Sequence, residues 1–207
     1  MATTRSASQF FNRVNNRFAF SLFLLYKLPS AWISGVRAGS ASELSCTTSV
    51  PYRWLSQNPF RSTYFACLAM AAEMSSGILA MGHVYGATAK VSMLVTGMEG
   101  IFLKKAKNKT YFTCDEGAAI RDAIAQTIAT GESVALTVEV TGRSKDSTEI
   151  ARFRITWSFK KHHHENRISR SSTHGDGVEA PYHPEERTED FIRLRHVPGH
   201  GPRNHRP

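Results

Sequence analysis

Glu73 is the only charged residue between Ser62 and Gly82, in a stretch otherwise built from apolar and small side chains. A carboxylate in such surroundings loses hydration, so it has partners, stays protonated, or lies at a polar site. In the functional reading it is a general base that activates water against a carbonyl, or a direct nucleophile. An apolar setting raises its pKa toward a useful value. In the structural reading it is a carboxylate bonded to backbone or serine groups.

Asn58 precedes Pro59, a pairing that starts helices, because asparagine caps free amides and proline suits the first helical position. It is read as a cap that can also orient water or substrate. The amides around Tyr64, Phe65 and Ala66 can polarise a carbonyl oxygen if they are free of helix bonds. Arg61, Lys104, Lys105, Lys107 and Lys109 are either phosphate contacts or a solvated surface that blocks aggregation. Ser75, Ser76 and His83 form no evident triad, and Cys67 reads as a small core residue. His162, His163 and His164 read as an adventitious cluster, and no metal site is expected.

These residues need a scaffold. The 207 residues are 41% hydrophobic and 21% charged, as in a globular protein with one core. Net charge is +9; eight of the 26 Lys/Arg and seven of the 17 Asp/Glu fall in 161–207, so the first 160 residues carry +8. That suits an anionic ligand, nucleic acid or membrane surface. There is no nucleic-acid motif, so no such partner is expected. Three cysteines without close spacing, Cys46, Cys67 and Cys114, argue against a disulfide framework or zinc site and for a reducing cytoplasm.

Phe18–Tyr26 follows Arg13 and Arg17 like a signal segment, but Lys27 and Pro29 interrupt it short of the ~20 residues a spanning helix needs. No membrane association is expected. Residues 1–8 read as a flexible lead-in. Gln9–Leu28 reads as one helix whose stripe is Phe11, Val14, Phe18, Leu22 and Leu25, ended by Pro29. Ile33–Arg37 and Leu44–Tyr52 read as strands, and a helix apolar on nearly every side runs from Asn58-Pro59 to about His83.

Further on, Val91–Val95 and Met98–Leu103 form one long strand with a bulge or bend at Gly97, followed by strand Lys109–Cys114. Asp115 caps a short helix closed by Thr130-Gly131. Val134–Thr141 and Arg152–Phe159 alternate apolar and polar, as strands covered on one face do. The fold class is α+β: a curved antiparallel sheet of about six strands wrapped around one long buried helix, with an N-terminal helix. The domain covers 9–160, and the Arg/His/Pro-rich segment 161–207 reads as a disordered tail.

Three runs carry a resemblance: Leu25-Tyr-Lys-Leu-Pro-Ser-Ala-Trp-Ile-Ser-Gly-Val-Arg37, Asn58-Pro-Phe-Arg-Ser-Thr-Tyr-Phe-Ala66 with Met70-Ala-Ala-Glu73, and Thr156-Trp-Ser-Phe159. Together they resemble a bacterial hotdog-fold family catalogued as a domain of unknown function and related to acyl-CoA thioesterases. The resemblance implies homodimers joined edge to edge, which can pair into tetramers. It also implies an acyl-thioester site at the dimer interface near the start of the central helix. Many such proteins carry an asparagine before that helix, a His-Gly-Gly turn and an acid further in. Asn58 and Glu73 match the first and last, while the turn here reads Thr63-Tyr64-Phe65-Ala66. The implied activity is hydrolysis of acyl-CoA or a similar thioester, with coenzyme A as part of the substrate, Arg61, Lys104 and Lys105 on its phosphates, and no other cofactor. The alternative is a non-catalytic domain that binds an acyl chain or serves as a structural dimer.

Overall fold

In the computed structural model, which describes residues 2–162, three N-terminal helices come first: α1 (Ala2–Asn15), α2 (Arg17–Lys27) and α3 (Pro29–Ile33). Strands β1 (Arg37–Ala41) and β2 (Cys46–Val50) precede the central helix α4 (Phe65–Tyr85). Strands β3 (Val91–Phe102) and β4 (Thr110–Cys114), helix α5 (Gly117–Thr130), and strands β5 (Val134–Ser144) and β6 (Glu149–Lys161) complete it. The six strands form one antiparallel sheet in the order β1-β2-β4-β5-β6-β3.

Helix α4 touches every strand. At ~4.8 Å per step the outer strands of a flat six-stranded sheet would lie ~24 Å apart, more than twice the ~10 Å width of a helix. The sheet therefore curls around α4, which is the hotdog arrangement. Alternation supplies the inner face: Val138 and Val140 on β5, and Phe153, Ile155, Trp157 and Phe159 on β6, are buried. α4 is long and apolar enough to cross a membrane, yet 67% of its most apolar 18-residue stretch is buried inside the protein, as in a core helix.

The two sheet edges differ. β1 has five residues, and Asn15 clamps its end, donating Nδ2 to Ala41 O (2.9 Å) and accepting from Ala41 N (2.8 Å). β3 has twelve residues and, among the described residues, pairs only with β6, leaving its other side open beside exposed Leu94, Met98, Ile101 and Phe102. A long apolar edge is a template for another chain. α1 docks on α4 through Phe11, whose ring occupies the space a side chain on Gly82 would fill.

Several local expectations change. The helix begins at Ala2, so residues 2–8 belong to α1, and buried Ala7 lies in its packed part. The expected helix Gln9–Leu28 is two helices, because Asn16 is extended (ψ 94°) and caps α2 by accepting from Ala19 N. The break re-phases the stripe: Phe11 and Val14 are buried, but in α2 Phe20 and Leu24 point inward while Phe18, Leu22 and Leu25 are exposed. Pro29 does not only end a helix; it opens α3, which takes in Ile33 of the expected first strand and stops at Gly35 (φ +82°). The central helix starts at Phe65 rather than Asn58. The bulge or bend expected at Gly97 is present, as a register shift between Val95 and Gly97 in one continuous strand. The last strand includes Lys161, which the expected tail would have held; from His163 on, with His164, that tail lies outside the described residues.

Cys46 and Cys114 face each other across β2 and β4, both free and fully buried. Burial, reinforced by the neighbouring thiol, pushes Cys46 up to about 12, and burial pushes Cys114 up to about 11. Only thiolates react readily. Iodoacetamide at pH 8 is expected to leave both unmodified in the native protein and to label both in denaturant, read by peptide mass. Rapid native labelling of either would mean that β2 opens from the sheet.

Candidate active site

α4 carries Glu73 on the side that faces β6. An ideal Cβ on Gly77 would lie 3.1 Å from Glu73 Oε1 and 3.4 Å from Trp157 Cη2, so the missing side chain at Gly77 leaves the space in which the carboxylate and indole meet. Trp157 Nε1 donates to Ser76 Oγ (3.1 Å), which holds the indole against the helix. Among the described residues no group hydrogen-bonds the Glu73 carboxylate and no cation pairs with it; its pKa is raised, and desolvation is the cause. The side chain is half-buried, so the carboxylate keeps a path to water. A half-desolvated, unpartnered carboxylate is a competent base or nucleophile.

The start of α4 supplies the opposite charge preference. Cys67 N and Leu68 N both turn back to Tyr64 O. Tyr64 N donates to Ser56 O (2.7 Å), so of the three expected amides this one is occupied. The amides of Phe65 and Ala66 have no acceptor among the described residues. They sit at the positive end of a 21-residue helix, where backbone donors stabilise developing negative charge.

Asn58 is not the cap of α4, which starts seven residues later. Its Oδ1 accepts from Phe60 N, Ser62 N and Ser62 Oγ (3.0–3.2 Å), and its carbonyl from Arg61 N, closing a tight turn. Arg61 is left-handed (φ +57°), which prevents helix from propagating through the turn. Asn58 thus shapes the approach to the site rather than facing the free amides.

The same approach gathers the basic residues. Thr63 donates both N (2.8 Å) and Oγ1 (3.1 Å) to Ala106 O, tying the segment before α4 to the β3–β4 loop. Arg61 stands on one side of this tie and exposed Lys104, Lys105 and Lys107 on the other. A chain of aromatic edges runs inward from it: Tyr64 to Phe65 (4.8 Å), Phe65 to Phe102 (6.4 Å), Phe102 to Phe153 (5.6 Å). Trp157, Ser76, Thr63 and Phe102 were not expected at the site. Only the small-residue run Ser75-Ser76-Gly77 hinted at a close approach there.

His83 lies ten residues beyond Glu73, about 15 Å along the helix axis. Its Nε2 bonds Glu43 O (2.9 Å), and burial lowers its pKa. It lines a separate cavity of about 350 Å³ with Glu43, Arg121, Ile124 and Ile128. Ser75 donates to Ala72 O within the helix, and Cys67 is buried in the core, so neither is a nucleophile. Among the described residues no three His, Cys, Asp or Glu side chains gather to hold a metal.

Residues 17–159 match the family described as "Domain of unknown function (DUF4442)". Among solved structures, a Pseudomonas aeruginosa protein of unknown function, described as a probable thioesterase, is similar with TM-score 0.60 and 18% identity, over 69% of this chain and 95% of that one. A Chlorobaculum tepidum protein of unknown function gives TM-score 0.59 and 12% identity over 69% and 92%. A Shewanella oneidensis protein classed as a candidate thioesterase gives 0.57 and 9% over 73% and 97%. These likenesses establish the shared fold. No curated protein matches the sequence.

Proposed function

The chain belongs to the DUF4442 family, and on that hotdog scaffold we propose that it hydrolyses acyl thioesters, with acyl-CoA the substrate class that suits its basic approach loops. The observation that carries the reading is Glu73: a desolvated carboxylate with no partner among the described residues, on the core helix of a thioesterase-like fold. Glu73 takes a proton from water as the water oxygen attacks the thioester carbon. The Phe65 and Ala66 amides donate to the resulting oxyanion. Collapse breaks the carbon–sulfur bond, the thiolate takes the proton back from Glu73, and a carboxylic acid leaves with the thiol.

Phe65 and Glu73 are eight residues apart, about 12 Å along the axis. The carboxylate also turns toward Gly77, away from the helix start. Reacting groups must come within ~3–3.5 Å. The amides of one copy and the Glu73 of a second therefore complete each site, in a homodimer paired through the open β3 edge. Coenzyme A enters as part of the substrate, its phosphates toward Arg61, Lys104 and Lys105; a cytoplasm containing acyl-CoA is the matching compartment.

The test is release of free thiol from short, medium and long acyl-CoA substrates by the full chain, beside two variants. Phe65→Pro removes one free amide at a position where proline fits, since Phe65 is the first residue of α4 and Tyr64 before it is already extended (ψ 136°). Phe65→Ala removes the ring and keeps the amide. Turnover is expected to fall by about 10²- to 10³-fold in Phe65→Pro and far less in Phe65→Ala. A folded protein inert on every chain length would instead be a non-catalytic acyl-binding dimer.

A further inference from the structure

Helix α2 is apolar on two opposite faces. Phe20 and Leu24 are buried against the protein. Phe18, Leu22, Leu25 and Tyr26 fall within about 100° of arc on the other side. Phe18 is 76% exposed and Tyr26 72%; Leu28 at the α2–α3 junction and Ile33 at the end of α3 are exposed as well. A contiguous exposed apolar surface on this scale marks an interaction site.

Charge selects the partner. No Asp or Glu occurs before Glu43, whereas Arg5, Arg13, Arg17, Lys27 and Arg37 do. Arg17 opens α2 and Lys27 closes it, with Lys27 Nζ 4.8 Å from the Tyr26 ring centroid. A second copy of this chain would bring the same basic surface against itself across a two-fold axis, setting like charges together. Nor is this the surface used by the β3 edge, because α2 packs on α1, α3 and β1, and β1 is the opposite edge of the sheet. An anionic bilayer satisfies both features: acyl chains take the apolar stripe and headgroups take the flanking cations. Eleven residues of helix are about 16 Å long, about half a hydrocarbon core, so the helix lies in the interface rather than spanning it.

We propose that the exposed face of α2, with Leu28 and Ile33, docks the protein peripherally on an anionic membrane surface. The sequence pattern alone had turned Phe18, Leu22 and Leu25 toward the core and carried no expectation of membrane contact; the break at Asn16 turns them outward.

The experiment is flotation of the full chain with vesicles of phosphatidylcholine alone or mixed with phosphatidylserine. Wild type is expected to float with the mixed vesicles, less so as salt rises, and weakly with phosphatidylcholine alone. Phe18→Ser with Leu22→Ser should weaken partition by about tenfold or more. Arg17→Glu should weaken it by about fivefold or more, mainly at low salt. Thermal melts verify that the variants fold, and the exposure of all three residues makes that the expected result. Failure of wild type to float with either vesicle overturns the proposal, as does flotation unchanged by both variants. Loss of the dimer in Phe18→Ser/Leu22→Ser, read by sedimentation velocity, overturns it in favour of a protein interface.

Discussion

Glu73→Gln is expected to abolish thioester hydrolysis while leaving the protein folded and more stable at neutral pH. General-base catalysis contributes about 10²- to 10⁴-fold, and loss of a nucleophile costs at least as much. Glutamine keeps the size of the side chain beside Gly77 and Trp157, so packing is conserved. The stability sign follows from desolvation. Burial raises the pKa of Glu73 in the folded state above its unfolded value. The folded protein then holds that proton more tightly, and the contribution is fully present below the unfolded pKa and lost as pH rises through the folded one. Above that window the wild type keeps a half-desolvated, unpaired charge that the variant lacks. The expected gain is about 1 kcal/mol at pH 7, typical of relieving a functional residue. Hydrolysis by the wild type rises with pH through the same raised pKa. Denaturant melts at several pH values check the linkage, and free-thiol release checks the rate. A variant that melts far below wild type at pH 7 would mark Glu73 as a structural residue held by partners.

Mixing two inactive proteins should restore activity. Glu73→Gln protomers keep the Phe65 amide, and Phe65→Pro protomers keep the carboxylate. Each alone is silent. If one site takes its amides from one copy and its carboxylate from the other, every mixed dimer has one intact site and one doubly defective site. Random reassortment makes half the dimers mixed, so about a quarter of wild-type activity returns. Were each copy to hold a complete site, none would return. The same interface predicts that Met98→Lys with Ile101→Lys on β3 yields monomers and suppresses the recovery, because lysines on an edge strand block strand pairing. Sedimentation velocity on each mixture, beside the thiol assay, separates failure to assemble from failure to react.

How much of this was legible beforehand depends on the reach of each contact. The alternation of Val134–Thr141 with Arg152–Phe159 located two strands correctly, because a period of two needs only neighbours. Gly97 marked a register shift and Gly131 a left-handed helix end (φ +78°), since both report backbone geometry on the spot. Glu73 stood out as a lone charge in an apolar run, and that signal survives in three dimensions. Asn58 misled: Asn-Pro starts helices, but it also starts turns. The choice was made by Thr63 bonding Ala106, 43 residues away, which draws the segment into a loop before any helix can form. The freedom of the Phe65 and Ala66 amides follows from that same loop.

Local pattern was enough for the single buried helix, the sheet of about six strands and the carboxylate within the core helix, because periodicity and isolated charge belong to neighbouring residues; it did not reveal α3, whose Ile33 it placed in a strand. Tertiary structure alone decided which way each element faces. A kink at Asn16 reversed the stripe of α2, and a loop tie moved the start of α4 by seven residues. Strand order put β3 at one edge, and Asn15 clamped the end of β1 at the other. The loop tie and the edge clamp rest on hydrogen bonds between residues 43 and 26 positions apart, which spacing along the chain does not reveal, whereas the kink rests on the local Asn16–Ala19 cap, whose effect on the stripe shows only once α2 is packed.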